Sequence, residues 1–189
     1  LKNIISSYIT GKVIREGVNL VIAGKPNSGK SSLFNYLLKT NRAIVSSIAG
    51  TTRDYIEENL IINGVLFNLI DTAGLRHSSD IIESEGIKRS HGKMKDADLI
   101  LYLIDSSQKQ EEVKMDVKDF NDSVNNERAI LVYSKSDLSK TEVQDSGISI
   151  SLLHDDTIEK LKNEMTALIH SKAVSYTNLR AHETVLDLV

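Results

Sequence analysis

The chain has 189 residues, of which 40% are hydrophobic and 26% charged, and its formal net charge at pH 7 is −3. These values are typical of a single globular domain. The slightly acidic balance provides no basic field for wrapping a nucleic acid directly. The chain contains no cysteine, which excludes disulfides and thiolate metal sites and fits a cytoplasmic location. No apolar run approaches the roughly 18 residues of a membrane span, and no signal-peptide pattern is present, so no membrane partner is expected.

Short apolar segments of strand length recur along the chain. The predicted strands are 18–23, 55–62, 65–71, 97–105, 128–134 and 147–151. The first, fourth and fifth are apolar almost throughout, as expected for strands covered on both faces. The second and third flank Asn63-Gly64, the strongest short signal for a β-hairpin.

Helical periodicity fills most of the intervals between these strands. Helices are predicted at 29–39, 83–95, 112–123 and 156–170. Each of the first and last has an apolar face at helical spacing: Leu33, Phe34, Leu37 and Leu38 in one, and Ile158, Leu161, Met165, Leu168 and Ile169 in the other. Strand–helix alternation with one hairpin predicts an α/β fold. Its six-stranded sheet is expected to be mostly parallel, with one antiparallel strand, and flanked by helices.

A glycine-rich segment separates the first predicted strand from the first predicted helix. It contains the pattern Gly24-x-x-x-x-Gly29-Lys30-Ser31. Glycines let several backbone N–H groups converge on one anion, and a helix N-terminus adds its positive end, so this context predicts a phosphate-binding loop (P-loop). We expect Lys30 to reach the β- and γ-phosphates of a nucleotide and Ser31 to ligate Mg²⁺. An ordinary glycine turn is the alternative, and the matching order of strand, loop and helix disfavours it.

Two further segments supply polar groups for the same site. The sequence "NLIDTAG" places Asp71 at the carboxyl end of an apolar strand, the edge where ligands bind in open α/β sheets. Asp71 is expected to hold Mg²⁺ directly or through water, and Gly74 to offer its N–H to a γ-phosphate. In "GTTRD", Thr51 or Thr52 can complete the Mg²⁺ shell, although a solvated loop explains that segment equally well in isolation.

The base is indicated by the segment "LVYSKSDL", which ends a predicted strand. A carboxylate at Asp137 can accept hydrogen bonds from N1–H and the 2-amino group of guanine, which adenine cannot supply. The stem of Lys135 can lie over the ring. A polar strand end is an equally plausible interpretation of these residues taken alone, and a backbone contact from 149–153 is only weakly indicated.

Together these motifs resemble the TrmE-Era-EngA-like family of GTPases, and more narrowly the G domains of MnmE (TrmE)-type tRNA-modification GTPases. The resemblance covers about residues 15–170 and rests on "REGVNLVIAGKPNSGKSSLFNYL", "AIVSSIAGTTRD", "LIDTAGLR" and "ESEGIKRS". It implies a P-loop NTPase with a Ras-like G domain that hydrolyses GTP to GDP and phosphate. The residues expected to contact GTP are Asn27, Ser28, Gly29, Lys30, Ser31, Ser32, Ser46, Ser47, Ile48, Ala49, Gly50, Thr51, Thr52, Asp71, Thr72, Ala73, Gly74, Ser134, Lys135, Ser136, Asp137 and Ser151.

The resemblance also implies a mechanism. Leu75 stands where Ras-like GTPases have a water-orienting glutamine, and the family assigns that task to a glutamate that matches Glu83 here. Mg²⁺ would be held by Ser31, Thr52 and Asp71. The family uses K⁺ in place of an arginine finger, and the matching ligands are Asn27, Ser46, Ile48 and Thr51. Activation through a G-domain homodimer, and work with an MnmG-like partner and tRNA through domains missing here, are implied in the same way.

The chain departs from the family at the base-binding motif, where Ser134 replaces the usual asparagine. Serine is shorter, so we expect a poorer tie between base segment and P-loop and weaker nucleotide binding. The expected organisation is a helical segment at 1–16, a G domain at 17–170, and a tail at 171–189 that is either the start of a helical domain or non-native sequence. Two other functions stay open: a ribosome-assembly GTPase of the Der or Era type, and a nucleotide-binding interaction module with little turnover.

Overall fold

The structure is a computed structural model that describes residues 16–43, 58–70, 97–124, 126–139 and 147–186, with side chains as far as Ser171. Its strands are β1 (Val18–Gly24), β2 (Glu58–Ile62), β3 (Val65–Leu69), β4 (Leu99–Asp105), β5 (Ala129–Ser134) and β6 (Ile148–Ser149). The α-helices in these ranges are α1 (Lys30–Asn41), α2 (Gln110–Ser123) and α3 (Asp155–Leu186). Single 3₁₀ turns occupy Asn126–Arg128 and Ser136–Leu138.

The six strands form one sheet in the order β2-β3-β1-β4-β5-β6. Only β2 runs antiparallel to its neighbour, β3, and the turn between them is the predicted Asn63-Gly64, with φ of 50° and 80°. The other pairings are parallel. The predicted fold class, a mostly parallel six-stranded sheet with one antiparallel strand, is therefore confirmed.

Helices cover both faces of the sheet, which explains why the central strands are apolar without alternation. In β1, Leu20 and Ile22 pack on the face that also buries apolar side chains of α1 and α3. Val21 and Ala23 point to the opposite face, which is covered by Phe120 and its neighbours in α2. The parallel strands therefore end at one edge, where the loops that follow β1, β4 and β5 meet.

Two elements differ from their predicted extents by more than two residues within the described ranges. The last helix was predicted at 156–170 but continues to Leu186. Its apolar periodicity weakens after His170, yet no glycine or proline interrupts 155–186, so nothing in the sequence stops the helix. Strand β6 has only two residues. It begins beside Gly147, where an added Cβ would lie 2.4 Å from the ring of Tyr133. None of the helices in the described ranges combines the length and the apolarity that crossing a bilayer would need.

Candidate nucleotide site

The phosphate side of the site is the loop between β1 and α1. Gly24 ends the strand with φ 137°, and Gly29 caps the helix with φ 88°, a left-handed conformation that glycine adopts without strain. The helix begins at Lys30, and Leu33 N–H donates to the Gly29 carbonyl over 2.9 Å to close its first turn. The loop amides therefore precede a helix N-terminus directly, which is the arrangement that attracts phosphate.

The ammonium of Lys30 lies over this loop. Its Nζ donates to the carbonyl oxygen of Lys25 at 2.6 Å, and the residue is half-buried. The side chain is thus folded back across the loop rather than extended into solvent. This position suits the predicted contact with nucleotide phosphates, because it keeps the charge beside the loop amides.

The base side of the site is fixed to the phosphate side by Ser134, the last residue of β5. Its side chain is buried, and its Oγ donates to the Ser28 carbonyl at 2.7 Å and lies 3.2 Å from the Ile104 carbonyl. We expected serine at this position to tie the base segment to the P-loop poorly. The tie is present, because β5 ends close enough to the P-loop for the short side chain to reach its backbone.

Lys135 makes a second connection between the two sides. It has a left-handed backbone, with φ 56°, and its Nζ donates to the Asn27 carbonyl at 2.9 Å and to Asp105 Oδ2 at 2.5 Å. The head group is therefore anchored between the P-loop and the end of β4. Lys135 also lines the neighbouring cavity, and the contact of its methylene stem with a base ring stays a prediction.

Asp105 is a site residue that the sequence analysis missed. It is buried at the carboxyl end of β4, and it accepts hydrogen bonds from Lys135, from Ser107 N–H at 2.9 Å and from Ser107 Oγ at 2.6 Å. Burial acts to raise its pKa, but the hydrogen bonds from Lys135 and Ser107 hold that pKa below the ordinary aspartate value. The sequence feature that could have identified Asp105 is its position at the end of a predicted strand, on the edge of the sheet where ligands bind.

A cavity beside these groups is the candidate pocket for the base. The side chain of Asp137 is exposed at this pocket, where a base edge can reach it. The lining residues are Gly29, Ser32, Leu33, Leu103, Ser134, Lys135, Asp137, Ile150, Ser151, Leu152 and Leu153. The lining thus combines apolar residues, serines and Lys135 with one carboxylate, a composition that suits a flat, hydrogen-bonding ring.

The third wall of this pocket is the turn that leads into α3. Ser151 N–H donates to Thr157 Oγ1 at 3.0 Å, so the amide of Ser151 is already engaged. Among the described residues, the N–H of Leu152 has no acceptor. Leu152 lies within 149–153, the segment for which the sequence weakly indicates a backbone contact to the base, and it lines the pocket.

Many of the predicted site residues lie outside the described ranges. They include the predicted water-positioning Glu83, the Mg²⁺ ligands Thr52 and Asp71, and the predicted helix 83–95. The remaining positions are Ser46, Ser47, Ile48, Ala49, Gly50, Thr51, Thr72, Ala73 and Gly74. The structure brings together the P-loop, Ser134–Asp137 and Ser151, and the other predicted roles stay predictions.

Two buried serines in contact with one another allow a matched test of the tie between base and phosphate segments. Ser134→Ala removes the donor to the Ser28 carbonyl, so we expect about 1–2 kcal/mol less stability and a several-fold weaker affinity for GDP. Ser28→Ala keeps that carbonyl. The Ser28 Oγ, although 1% exposed, has no partner among the described groups, so this variant should be neutral or slightly stabilised. Urea unfolding and nucleotide titration of both variants measure the difference; equal effects would contradict the assigned tie.

The ion pair of Asp105 predicts a pH dependence. Because the folded-state pKa of Asp105 lies below its unfolded value of about 4, its stabilising contribution is complete above that value and is lost as the pH falls through the lower folded pKa. Asp105→Asn should therefore destabilise the protein at neutral pH, and its deficit should shrink below about pH 4. Urea unfolding at several pH values between about 3 and 7 measures the difference in unfolding free energy between this variant and the parent. The exposed Asp122→Asn is the control, and a deficit independent of pH would contradict the prediction.

The phosphate loop and the base pocket are the parts of a nucleotide-binding domain. Residues 19–135 match the family model described as a 50S ribosome-binding GTPase. The chain belongs to this family of P-loop GTPases.

Its predicted resemblance to MnmE G domains is confirmed by relatives named tRNA modification GTPase MnmE. The protein of Aquifex aeolicus is 41% identical, with 98% of this chain and 43% of that protein covered. That of Buchnera aphidicola subsp. Baizongia pistaciae is 45% identical, with 87% and 38% covered. The chain thus spans about two fifths of the length of these relatives.

Solved structures show the same fold. The G domain of the T. maritima FeoB iron transporter is 26% identical and has a TM-score of 0.54, with 80% of this chain and 98% of that chain covered. The FeoB G-domain from Methanococcus jannaschii, at 20% identity and a TM-score of 0.53, shares the fold. The architecture is therefore that of a G domain, and it is shared by proteins with different names.

Proposed function

We propose that this chain is the GTP-binding and GTP-hydrolysing domain of a tRNA wobble-uridine modification protein. The observation that carries the proposal is the tie between the phosphate loop and the base segment, in which Ser134 donates to the Ser28 carbonyl and Lys135 to the Asn27 carbonyl. This arrangement occurs in a chain that is 36–45% identical to proteins named tRNA modification GTPase MnmE. The fold alone does not distinguish the function, because a FeoB G domain shares it.

In this proposal the chain's own groups bind and orient the triphosphate. The loop amides and Lys30 stabilise the negative charge that develops on the phosphoryl oxygens. Asp137 accepts from the edge of guanine. The side chain of Leu75 can neither donate nor accept a hydrogen bond, and we assign the orientation of the attacking water to Glu83, acting through a relay, as the family resemblance implies.

The donor chemistry of the chain suits the two ions that the family implies. Ser31 lies in the first turn of α1, half-buried, and offers a hydroxyl oxygen; with Thr52 and Asp71 it forms a set of hard oxygen donors for Mg²⁺. Asn27 is exposed on the loop with φ 62°, and its side-chain oxygen, with Ser46, Ile48 and Thr51, forms a neutral oxygen set for K⁺. When bound, the ions neutralise phosphate charge.

The remaining parts of the proposal concern partners and organisation. We propose residues 17–170 as the G domain, 1–16 as the helical segment that leads into it, and 171–189 as a tail that is either the start of a helical domain or non-native sequence. G-domain pairing across the nucleotides would activate hydrolysis. An MnmG-like partner and tRNA would engage domains outside this chain, and tRNA as the substrate implies a cytoplasmic site of action.

The test is GTP hydrolysis by the full chain, measured as phosphate release in equal concentrations of KCl and NaCl over a series of protein concentrations. We expect at least about tenfold faster turnover in KCl, and a rate per molecule that rises with protein concentration. Lys30→Ala is the control for contaminating activity and should be inactive.

The possible results separate the parts of the proposal. Absence of hydrolysis in both salts at high protein concentration would overturn the enzymatic function. Equal rates in the two salts would overturn the K⁺ dependence alone. An unchanged rate in Glu83→Ala would overturn the assigned water-positioning residue and leave the GTPase function standing.

A further inference from the structure

The first residue of the P-loop after β1, Lys25, is joined to helix α2. Its Nζ lies 2.5 Å from Asp116 Oδ1 and 2.8 Å from Asp119 Oδ2. The two acids are one helical turn apart, at i and i+3, so they face the same side of α2. Lys25, which precedes Pro26, is therefore bound by Asp116, a residue 91 positions away in the chain.

The inner member of this cluster is well buried. The Asp116 side chain is 5% exposed, on a helix whose Phe120 packs in the core against the Tyr102 ring at 5.2 Å. A buried carboxylate is stable only when it is paired, and removing its partner leaves an uncompensated charge. The hydrogen bonds from Lys25 to Asp116 and Asp119 raise the pKa of Lys25, so this lysine stays charged at neutral pH.

The backbone of the same residue holds the phosphate-binding groups. The Lys25 carbonyl accepts from Lys30 Nζ at 2.6 Å and from Ser28 N–H at 3.3 Å. The side chain of Lys25 therefore points toward α2 while its carbonyl supports the nucleotide site. Fixing the side chain restricts the rotation of this peptide unit and so limits where the accepting carbonyl can lie.

We propose that Lys25 is a positioning residue: its ion pair with Asp116 and Asp119 fixes the P-loop backbone on α2 and so aims Lys30 at the phosphates. The inference rests on the proposed GTP function, since it gives Lys30 its task there. The competing interpretation is an ion pair that stabilises the fold and has no effect on the loop. Under that interpretation, nucleotide affinity changes only as far as the folded fraction changes.

The test uses the full chain with Lys25→Met, which removes the charge and keeps a similar stem. Two quantities are measured: the Kd for GDP by fluorescence titration, and amide hydrogen exchange of the peptide that covers the P-loop in nucleotide-free protein. We expect an affinity about tenfold weaker, and faster exchange in the P-loop than in β4. Steady-state kinetics should show a lower kcat as well as a raised KM, because Lys30 contacts the phosphates in the ground state and stabilises the charge that develops in the transition state.

Two variants serve as matched controls. Lys118→Met removes the same charge from the exposed face of α2 and should change neither quantity. Lys25→Arg keeps the charge and should restore most of the affinity. If Lys25→Met does not fold, Asp119→Asn gives the milder form of the test, because Asp119 is 53% exposed, and about a threefold effect on Kd is expected.

The inference is overturned if Lys25→Met, or Asp119→Asn in its place, leaves Kd within twofold of the parent and loop exchange unchanged. It is also overturned if Lys118→Met has an equal effect. Failure of the parent chain to bind guanine nucleotides at all would instead overturn the proposed function. Loop exchange, which needs no nucleotide, still decides the role of Lys25 in that case.

Discussion

Replacing Gly24 with alanine is expected to abolish nucleotide binding and to lower the melting temperature by about 10 °C, which corresponds to about 3 kcal/mol for a domain of this size. An added Cβ at this position would lie 2.3 Å from the Leu103 carbonyl oxygen and 2.9 Å from Ser28 Oγ. Gly24 is paired with Leu103 between β1 and β4, so relief of the clash requires the two central strands to separate. Its φ of 137° adds a backbone penalty for any L side chain.

Gly64 provides a control that distinguishes the steric clash of an added Cβ from the strain of a positive φ. Gly64, in the hairpin turn, also has a positive φ of 80°, but an added Cβ would meet nothing within 4 Å. Gly64→Ala should therefore cost about 1 kcal/mol of backbone strain and leave GDP affinity unchanged. Thermal unfolding and nucleotide titration of both variants measure the contrast. If Gly24→Ala bound GDP within fivefold of the parent, the close approach of β1 and β4 would not be needed for the P-loop.

Replacing Asp137 with asparagine is expected to weaken GTP binding by about 100-fold or more, and to transfer preference to xanthosine triphosphate. The carboxylate of Asp137 only accepts hydrogen bonds, which matches the two donors on the edge of guanine. An asparagine amide presents donor hydrogens that match the 2-oxo group of xanthine and leave the guanine amino group unpaired. Unpaired polar groups in a partly enclosed pocket carry the full penalty of their lost hydration.

Competition titrations with GTP, XTP and ATP measure this change of preference. ATP should bind poorly to the parent protein, because adenine lacks the donors that Asp137 accepts. Asp156→Asn, an equivalent change at an exposed site in the first turn of α3, should leave all three affinities in place. Retention of GTP affinity within threefold in Asp137→Asn would show that the guanine edge does not face this residue.

Local patterns in the sequence were sufficient for the fold. The hairpin follows from Asn63-Gly64 between two apolar runs, and the sheet from uninterrupted apolar strands alternating with helices. The P-loop also follows from local pattern, because its glycines and lysine are close in sequence and lie between a strand and a helix. Helix α3 was predicted too short, since apolar periodicity reports which face is buried and not where a helix without glycine or proline ends.

The contacts that organise the site could not be predicted from the sequence. Ser134 and Ser28 are 106 residues apart, and Lys25 and Asp116 are 91 apart. No periodicity links such positions, because each pair meets only after the sheet has assembled. The structure also shows that Ser134 makes a direct hydrogen bond to the P-loop. Whether Ser134 weakens nucleotide binding stays a prediction, which comparison with Ser134→Asn would test.

The hydrogen bonds from Ser134 and Lys135 to the P-loop carbonyls join the phosphate and base halves of the site through protein atoms alone. The conformational entropy of holding these halves in register is therefore lost when the chain folds, and not when a ligand arrives. Among purine nucleotides that share the same phosphates, the rates of association should consequently be similar. Selectivity for the base should then appear almost entirely in how long each complex lasts.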